Sequence, residues 1–449
     1  MSNLTIHHHS NPVYPVKTAK IRPSTISVPG SKSYSHRIAI AASLASGTSE
    51  IHNMLKSEDT THTLSALEQL GAQIQQNNQK TTITGMFQSD AAPPPATGSE
   101  PEPIPIYTGN SGTTMRLITA VAALCPGTYH LYGTERMHER PIGELLDALG
   151  QLSVKAVSVN NNNCPPVEIT GPLSTGGIVD LDCSVSSQYL SALLLIAPHL
   201  KTGLEINITK GLVSKPYVEM TIDVLNRFGI EAHRKGNSYF RVPGRQNYTP
   251  GTYIVEPDCS QAGYFWAAGA ITGTPVTVSD ISKHSRQGDI NFIRVLKDMG
   301  CKIEETDNGI TVSREDIGDG AKKPLTAVTV DMQDMPDLVP TLAVVAAFAR
   351  GKTVIKNVAH LAAKESDRLA AVVTELTKMG ISAKRTKDGL AITGGTPKGA
   401  VIETYNDHRI AMSFALTGLV VPDVTIANPG CVEKSFPAFW DVFEGLYQT

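Results

Sequence analysis

A repeated pattern of helix, glycine and short strand constrains the fold more than any other feature of this 449-residue chain. In each copy an amphipathic helical stretch ends at a glycine, and a short β-prone segment follows it. Successive copies lie 71 to 80 residues apart, which is too far for solenoid repeats and suits small βαβαββ subdomains. The five helix-ending glycines are Gly71, Gly150, Gly229, Gly300 and Gly380.

Several copies also share a later strand that ends at a turn glycine, namely Gly85, Gly171, Gly244 or Gly394. A degenerate sixth copy is expected in FWDVFEGLYQT, where Gly445 follows an apolar helical face. Each helix-ending glycine is expected to adopt the left-handed C′ conformation. Six copies divide into two groups of three. We therefore predict an α/β fold of two domains, each with three repeated subdomains.

The chain length agrees with two domains, because a single core seldom grows beyond about 250–300 residues. The strand-like segment GTYIVE ends at Glu256, and an apolar helical pattern begins soon after Pro257. We expect a discontinuous domain of residues 1–30 and 257–449 and an inserted domain of residues 31–256. The Pro-rich segment from Ser89 to Pro105 is predicted to be an exposed hairpin loop rather than a domain linker.

The charge balance argues against nucleic acid or a membrane surface as a partner. The formal net charge is -3, whereas both partners favour a basic face. No run of 18 apolar residues occurs and the N-terminal segment lacks a secretory pattern, so a cytoplasmic location is expected. The six cysteines are scattered without CxxC spacing, which predicts reduced thiols and no metal site.

Three patterns in the first half of the chain suit the binding of phosphate or carboxylate. PGSKSYSHR opens an apolar helix with backbone amides, hydroxyls and cations, although it lacks the glycines of a Walker A loop. GNSGTTMR places glycines around a turn before another helix, and ERPI presents an arginine beside a proline. The residues concerned are Gly30, Ser31, Lys32, Ser33, Arg37, Asn110, Gly112, Arg116 and Arg140.

Two hydroxyl-rich turns follow, SVSSQY and LVSKPY. Hydroxyls and an amide at such turns can hold a polyol and its phosphate, although serine runs are more often simple turns. The candidate residues are Ser186, Ser187, Gln188, Ser214, Lys215 and Tyr217.

The second half supplies candidate proton donors and acceptors. They lie in MPDLVPT, AAKESDR, YNDHR and EKSFP, and the candidates are Asp337, Lys364, Glu365, Asp367, Arg368, Asp407, His408, Arg409 and Lys434. Lys364 and Arg368 are one helical turn apart, so both cations can face one site, although a solvated charged helix face is the alternative. Carboxylates beside such cations suit general acid and base chemistry. The residues alone thus predict an enzyme that handles small anions.

The ordered set of these motifs, together with RMHERPI and VEPDCSQAGYF, resembles the 5-enolpyruvylshikimate-3-phosphate synthase family from about Val28 to Pro437. The resemblance implies a two-domain inside-out α/β barrel. It also implies transfer of the enolpyruvyl group of phosphoenolpyruvate to the 5-hydroxyl of shikimate 3-phosphate, with release of phosphate. That reaction belongs to the shikimate pathway, which leads to chorismate and the aromatic amino acids. No metal or other cofactor is implied, and a monomer is expected.

The resemblance also implies residue roles. Asp337 would be the base for the hydroxyl, Glu365 the acid toward the methylene carbon, and Lys32 an electrostatic partner or proton relay. The implied substrate-binding residues are Lys32, Ser33, Arg37, Asn110, Gly112, Arg140, Ser186, Ser187, Gln188, Ser214, Tyr217, Asp337, His360, Lys364, Arg368, Arg409 and Lys434. The inserted domain would supply most contacts to shikimate 3-phosphate, and the discontinuous domain the acid and base groups.

The chain departs from the family at Ala362, where an arginine is usual, and at His360, where some members have asparagine. Two alternatives remain at this stage. One is the related transferase that acts on UDP-N-acetylglucosamine, which typically has Lys-Asn where this chain has Lys32 and Ser33. The other is a catalytically inactive protein that binds phosphorylated metabolites. A nucleotide-dependent kinase is disfavoured, because the chain has neither a Walker A loop nor a kinase Gly-rich loop.

Overall fold

The computed structural model describes residues 12–87 and 102–447. Most of the predicted hairpin loop from Ser89 to Pro105 therefore lies outside the described residues. Its flanking strands, Lys80–Thr84 and Ile104–Tyr107, belong to different sheets, so the segment joins two subdomains and does not close a hairpin. No helix within the described ranges is long and apolar enough to cross a membrane.

The elements of the first half, in chain order, alternate strands with helices. The strands are β1 (Val13–Pro15), β2 (Ser24–Ile26), β3 (Thr48–His52), β4 (Gln73–Gln76), β5 (Lys80–Thr84), β6 (Ile104–Tyr107), β7 (Gly127–Tyr132), β8 (Lys155–Ser158), β9 (Val167–Gly171), β10 (Gly177–Asp182), β11 (Leu204–Lys210), β12 (His233–Lys235), β13 (Tyr239–Val242) and β14 (Thr252–Ile254). The helices are α1 (Lys32–Leu44), α2 (Glu58–Gln69), α3 (Gly112–Leu124), α4 (Gly143–Gln151), α5 (Gln188–Ile196) and α6 (Pro216–Arg227).

The second half continues the same alternation. Its strands are β15 (Val276–Ser279), β16 (Lys302–Thr306), β17 (Gly309–Ser313), β18 (Thr329–Asp331), β19 (Lys352–Lys356), β20 (Ser382–Arg385), β21 (Leu390–Thr393), β22 (Val401–Ile402) and β23 (Thr425–Ala427). Its helices are α7 (Cys259–Thr272), α8 (Phe292–Asp298), α9 (Val339–Ala347), α10 (Arg368–Lys378), α11 (His408–Gly418) and α12 (Phe439–Glu444).

Within the described residues the strands form six sheets, one for each predicted repeat. In the sheet β6-β7-β9-β8 the first two strands are parallel and the last two join antiparallel, which is the predicted βαβαββ unit. The sheets β10-β11-β13-β12 and β18-β19-β21-β20 repeat this arrangement. The sixth unit is reduced to the three strands β1-β23-β22 and helices α11 and α12, as its degenerate sequence predicts.

Two units exchange their first strands. Strand β2 pairs in parallel with β15, although the chain leaves β2 for helix α1 of the other group, and β14 pairs with β3 before the chain enters α7. The two connecting segments run side by side, with an antiparallel bridge between Gly30 and Pro257. Two chain crossings therefore join the two groups of subdomains at one place.

Each group of subdomains has its own buried core. One core takes its residues from positions 34 to 255, and the other from positions 16 to 28 and 259 to 447. Both are built mainly of Ala, Val, Leu and Ile from helices that are buried almost all round, such as α3 and α7. Each of these helices packs against the strands of its own unit and against other helices of its group, which explains why its sequence is almost continuously apolar.

The repeated glycines fall into two groups, and glycine is required for a different structural reason in each. Gly71, Gly229, Gly300 and Gly380 end helices with φ between +79° and +110°, as predicted. The prediction is wrong for two others, because Gly150 lies within α4 while Ser153 adopts φ +64°, and Gly445 has φ -62°. At the strand ends, a Cβ would lie 1.7 to 2.2 Å from a carbonyl oxygen at the end of a preceding helix, and this holds for Gly85, Gly171, Gly244 and Gly394.

Candidate active site

A cavity that is partly open to solvent lies between the two groups of subdomains. Its wall is polar and carries both cations and carboxylates, which suits an anionic and hydroxylated ligand. The lining residues are Lys32, Ser33, Arg37, Thr113, Arg140, Val185, Ser186, Ser187, Gln188, Val213, Ser214, Tyr217, Asp337, His360, Lys364, Glu365 and Arg368. The cavity thus brings together most of the residues that the sequence singled out, from positions more than 300 apart.

Four predicted binding residues lie outside this lining. Asn110 and Lys434 stand behind Arg140, since the Asn110 carbonyl accepts from Arg140 Nη1 at 2.8 Å and from Lys434 Nζ at 2.9 Å. Arg409 is buried behind Asp337, and its Nη2 donates to Asp337 Oδ2 at 2.7 Å. Gly112 begins α3, where an added Cβ would lie 2.4 Å from Arg140 Nη2. These four residues act on the cavity through their neighbours in this structure.

The start of α1 positions Lys32 beside the crossing segments. Ser31 caps the helix, its amide donates to the Glu256 carbonyl at 2.8 Å, and the Lys32 amide donates to Asp258 Oδ2 at 2.9 Å. Arg37, one turn along, donates to Thr221 Oγ1 at 2.7 Å and to the Ser33 carbonyl at 2.9 Å. The helix start is therefore tied to the crossing segment around Pro257 and to α6.

Asp59 is a functional candidate that sequence reasoning missed. Its side chain is 2% exposed and bridges Lys32 Nζ at 2.9 Å and Lys434 Nζ at 2.5 Å. Burial alone would raise the pKa of Asp59, but the charges of Lys32 and Lys434 outweigh it and hold that pKa well below its usual range. An acid in the first turn of a helix is ordinarily explained by the helix dipole, so its sequence position gave no further signal.

A second carboxylate centre lies on the opposite wall. Asp337 Oδ1 accepts from Arg368 Nη1 at 2.9 Å, and Tyr217, from the other group of subdomains, donates to Asp337 Oδ2 at 3.3 Å. Burial favours the neutral acid, yet the charges of Arg409 and Arg368 hold the pKa of Asp337 well below its usual range. Asp337 is consequently an ionised acceptor that reaches the cavity.

Glu365 is a buried carboxylate that also lines the cavity. Its Oε2 lies 2.9 Å from Arg368 Nη2, and its Oε1 lies 3.5 Å from Arg140 Nη2. Burial again opposes ionisation, but the charges of Arg140 and Arg368 hold the pKa of Glu365 well below its usual range. An anionic ligand between these arginines would weaken that effect and raise the affinity of Glu365 for a proton.

Lys364 and His360 complete this wall. Burial lowers the pKa of Lys364 from 10.5 to about 8, although the carboxylates of Asp337 and Glu365 oppose the shift. Burial, with the Lys364 charge, lowers the pKa of His360 to about 4, so its imidazole is neutral near pH 7. Lys364 can therefore serve as a cation below pH 8 and lose its proton above it.

Three other charged candidates have supporting positions. Asp407 is fully buried and accepts from Arg368 Nε at 2.8 Å and Ser366 Oγ at 2.9 Å, so it orients the guanidinium. Asp367 caps α10 by accepting the amides of residues 369 and 370. Arg116 donates to the carbonyls of Gly112 and Pro141 and so braces the turns beside the cavity.

Gln188 connects two of the predicted motifs. Its Nε2 donates to Thr113 Oγ1 at 3.0 Å, which brings the hydroxyl-rich turn against the start of α3. Thr113 lines the cavity and stands beside the glycine that the sequence identified, although the sequence alone gave it no role. Lys215, by contrast, is absent from the lining and forms the N-cap position of α6.

This chain resembles known proteins along almost its whole length. Residues 17–443 match the family model of EPSP synthase, 3-phosphoshikimate 1-carboxyvinyltransferase. The 3-phosphoshikimate 1-carboxyvinyltransferase of Colwellia psychrerythraea is 44% identical over 93% of this chain and 95% of its own. The chloroplastic relative of Arabidopsis thaliana is 42% identical over 94% of this chain and 82% of its own.

The fold has the same relationship. An EPSP synthase structure from Acinetobacter baumannii superposes with a TM-score of 0.77 and 26% identity, over 97% of this chain and 98% of that one. The predicted enolpyruvyl-transferase-like α/β fold is thereby confirmed. The chain belongs to the EPSP synthase (3-phosphoshikimate 1-carboxyvinyltransferase) family.

Proposed function

We propose that this protein transfers the enolpyruvyl group of phosphoenolpyruvate to the 5-hydroxyl of shikimate 3-phosphate, with release of inorganic phosphate. The observation that carries the proposal is that the Arg368 guanidinium forms ion pairs with both Asp337 and Glu365, each at 2.9 Å, in a cavity lined by further cations. Two phosphorylated substrates need such cations, and a two-step proton transfer needs two separate carboxylates. Family membership supports the same reaction.

The reaction balances with the groups on these walls. In the first step the hydroxyl oxygen bonds to C2 of phosphoenolpyruvate, the hydroxyl proton passes to a base, and the methylene carbon gains a proton. In the second step the C2–O bond to phosphate breaks and the methyl group loses a proton, which restores the double bond. We assign Asp337 as the base for the hydroxyl. Glu365 would take up a proton from solvent once bound anions offset the charges of Arg140 and Arg368, deliver it to the methylene carbon in the first step, and accept the methyl proton in the second. The proton held by Asp337 would leave with phosphate.

The cations supply binding and charge stabilisation in this scheme. Lys32 and Arg140 would face phosphoenolpyruvate. Arg409 would hold Asp337 in position, and Lys434 would support Arg140 through the Asn110 carbonyl, to which both donate. The hydroxyl-rich turns of Ser186 and Ser214 would hold shikimate 3-phosphate. A preorganised set of cations stabilises developing negative charge more strongly than water does.

We also propose the domain division into residues 31–256 and the two flanking segments, 1–30 and 257–449. The two separate cores and the paired crossing at Gly30 and Pro257 support it. Both walls of the cavity come from one chain, so we propose that a monomer is sufficient for activity. The six free cysteines suit a reducing compartment, and we propose the cytosol.

A phosphate-release assay with both substrates tests the reaction. We expect phosphate only when shikimate 3-phosphate and phosphoenolpyruvate are present together, and a product whose mass equals their sum minus phosphoric acid. Replacement of shikimate 3-phosphate by UDP-N-acetylglucosamine should give no product. Transfer to the nucleotide sugar, or binding of both substrates without turnover, would contradict the proposal.

A further inference from the structure

The Arg136 side chain joins the two walls of the cavity by binding main-chain carbonyls of the opposite wall. It lies in the 3-10 helix Glu135–Glu139, and its guanidinium donates to the Lys364 carbonyl from Nε at 3.2 Å and from Nη2 at 3.0 Å. The same Nη2 donates to the Ala362 carbonyl at 3.2 Å. The planar guanidinium thus covers two carbonyls of a loop that belongs to the other core.

Glu139 holds this arginine in place. Its Oε2 accepts from Arg136 Nη1 at 2.6 Å, three residues along the same 3-10 helix. All three guanidinium nitrogens therefore have partners, one within the helix and two across the cavity. The pair is partly exposed, at 32% for Arg136 and 64% for Glu139, so its ion pairing alone contributes little to stability.

The loop that Arg136 contacts carries the charged residues of the opposite wall. Ala362 and Lys364 provide the carbonyls, and the next residue, Glu365, pairs with Arg140 at 3.5 Å. Arg140 follows Arg136 by four residues and closes the same 3-10 helix, its amide donating to the Met137 carbonyl at 3.1 Å. This 3-10 helix and its C-cap residue therefore hold the loop at two points. Arg136 binds main-chain carbonyls of the loop, and Arg140 pairs with the Glu365 carboxylate.

We propose that Arg136 is a positioning residue that fixes the segment from Ala362 to Glu365 against the opposite domain, so that Lys364 and Glu365 face the substrates. Its kinetic consequence rests on the proposed function, whereas its effect on the loop does not. A fixed backbone matters here because proton transfer requires the donor within hydrogen-bond distance of the reacting carbon. Arg136 itself is absent from the cavity lining and needs no contact with substrate.

Hydrogen exchange of the ligand-free protein tests the contact directly. In Arg136→Ala, amides of residues 359–366 should exchange about 10-fold faster or more, because the loop opens locally once its charged donor is removed. Arg136→Lys should show an intermediate rate, since an ammonium can still donate to one carbonyl. Arg241→Ala is the matched control, because Arg241 forms an exposed ion pair with Glu205 within one sheet.

Steady-state kinetics then tests the positioning role. We expect kcat of Arg136→Ala to fall about 10- to 100-fold, the range for removal of a charged hydrogen-bond donor, with partial recovery in Arg136→Lys. The KM for shikimate 3-phosphate should change far less, and the thermal midpoint should not change. These results distinguish misplacement of the acid from general unfolding.

Two results would overturn the inference. If the loop amides of Arg136→Ala exchange at the wild-type rate, Arg136 does not hold the loop. If they exchange faster but kcat stays within twofold of wild type, the contact holds the loop without positioning Lys364 and Glu365 for the reaction. If the wild-type protein fails to turn over both substrates, the proposed reaction is wrong. The exchange measurement alone then decides whether Arg136 fixes the loop.

Discussion

Arg368 and Asp337 are joined through Nη1 and Oδ1 at 2.9 Å, and the same guanidinium lies 2.9 Å from Glu365. One cation thus keeps two carboxylates apart and ionised at the same cavity. Asp407 holds the third edge of this guanidinium, at Nε, so its orientation is fixed from behind. The arrangement separates the two carboxylates that we propose for proton transfer, and it keeps both beside the cations of the cavity.

Replacement of either carboxylate should therefore lower turnover strongly. We expect Glu365→Gln and Asp337→Asn each to reduce kcat by about 10²–10⁴, the usual loss when a positioned acid or base is removed. Steady-state phosphate release measures this, and circular dichroism checks folding. Glu304→Gln, an exposed carboxylate on β16, is the control and should retain wild-type kcat. Near-normal turnover in both cavity variants would refute the assignment.

Asp59→Asn should destabilise the ligand-free protein, because it leaves the buried Lys434 and the partly buried Lys32 without their shared anion. Breaking a buried ion pair in this way costs about 3–5 kcal/mol. The pKa of Asp59 is depressed in the folded state, so its contribution is present above the unfolded pKa near 4 and is lost as pH falls further.

Urea unfolding at pH 7 and below pH 4 measures this loss. Glu58→Gln is a matched control, since Glu58 precedes Asp59 in the same helical turn and its side chain is 54% exposed. We expect inorganic phosphate to restore part of the stability of Asp59→Asn, because an anion can replace the missing carboxylate. A variant as stable as Glu58→Gln would show that Asp59 is not needed to pair the lysines.

Lys364 should give the reaction an alkaline limit. Burial lowers the pKa of Lys364 to about 8, so its ammonium is lost as pH rises through that value, and kcat/KM should fall with it. Lys364→Arg should remove this limb, since arginine stays charged at these pH values. Lys302→Arg, an exposed lysine on β16, should keep the limb.

The same shift has an opposite consequence for stability. Unfolded chains keep the Lys364 proton up to about pH 10.5, whereas the folded protein releases it near 8. Lys364 therefore destabilises the fold below pH 8, and this cost declines as pH rises from 8 to 10.5.

In the kinetic experiment, persistence of the alkaline limb of kcat/KM in Lys364→Arg would mean that another group is responsible for it.

The sequence predicted the parts of the fold that depend on local pattern. Gly229 and Gly380 end their helices as expected, because a left-handed C′ residue has few substitutes. The pattern failed at Gly150, where the helix continues and Ser153 makes the turn instead. Strand exchange was also invisible, because β2 and β14 have three residues each and nothing local records which sheet they join.

Part of the cavity lining could be predicted from turns at which glycine, serine or charged residues cluster. Lys32, Ser186 and Glu365 come from such turns, and all three line the cavity. Asp59 and Arg136 were not predictable, because each acts through a partner far away in sequence. A charge in the first turn of a helix or in a short 3-10 helix has an ordinary local explanation, and only the tertiary structure supplies its partner.

Asp289 offers a test of the electrostatics outside the proposed acid and base. It lies in the 3-10 helix Gly288–Asn291, where Ser260 donates to its Oδ2 and its Oδ1 has no hydrogen-bond partner among the described residues. Burial, together with the negative charge of Asp337, raises the pKa of Asp289 from 3.8 to about 7. The folded protein therefore retains a proton that the unfolded chain releases near pH 4.

Asp289→Asn should consequently stabilise the protein in a pH-dependent way. Between pH 4 and 7 the folded wild type binds more protons than the unfolded chain, so its stability falls as pH rises through this window, and the cost is fully present above pH 7. Asparagine cannot ionise and avoids that cost. The free energy of unfolding of the variant, relative to that of wild type, should therefore increase by about 2–4 kcal/mol as pH rises from 4 to 8. Any difference caused by the altered bond to Ser260 would be the same at both pH values. Urea unfolding of wild type and Asp289→Asn at several pH values measures the change. Asp298→Asn is the control, because Asp298 is an exposed acid at the end of α8. A stability difference that does not depend on pH would show that Asp289 is ionised in the fold at no cost.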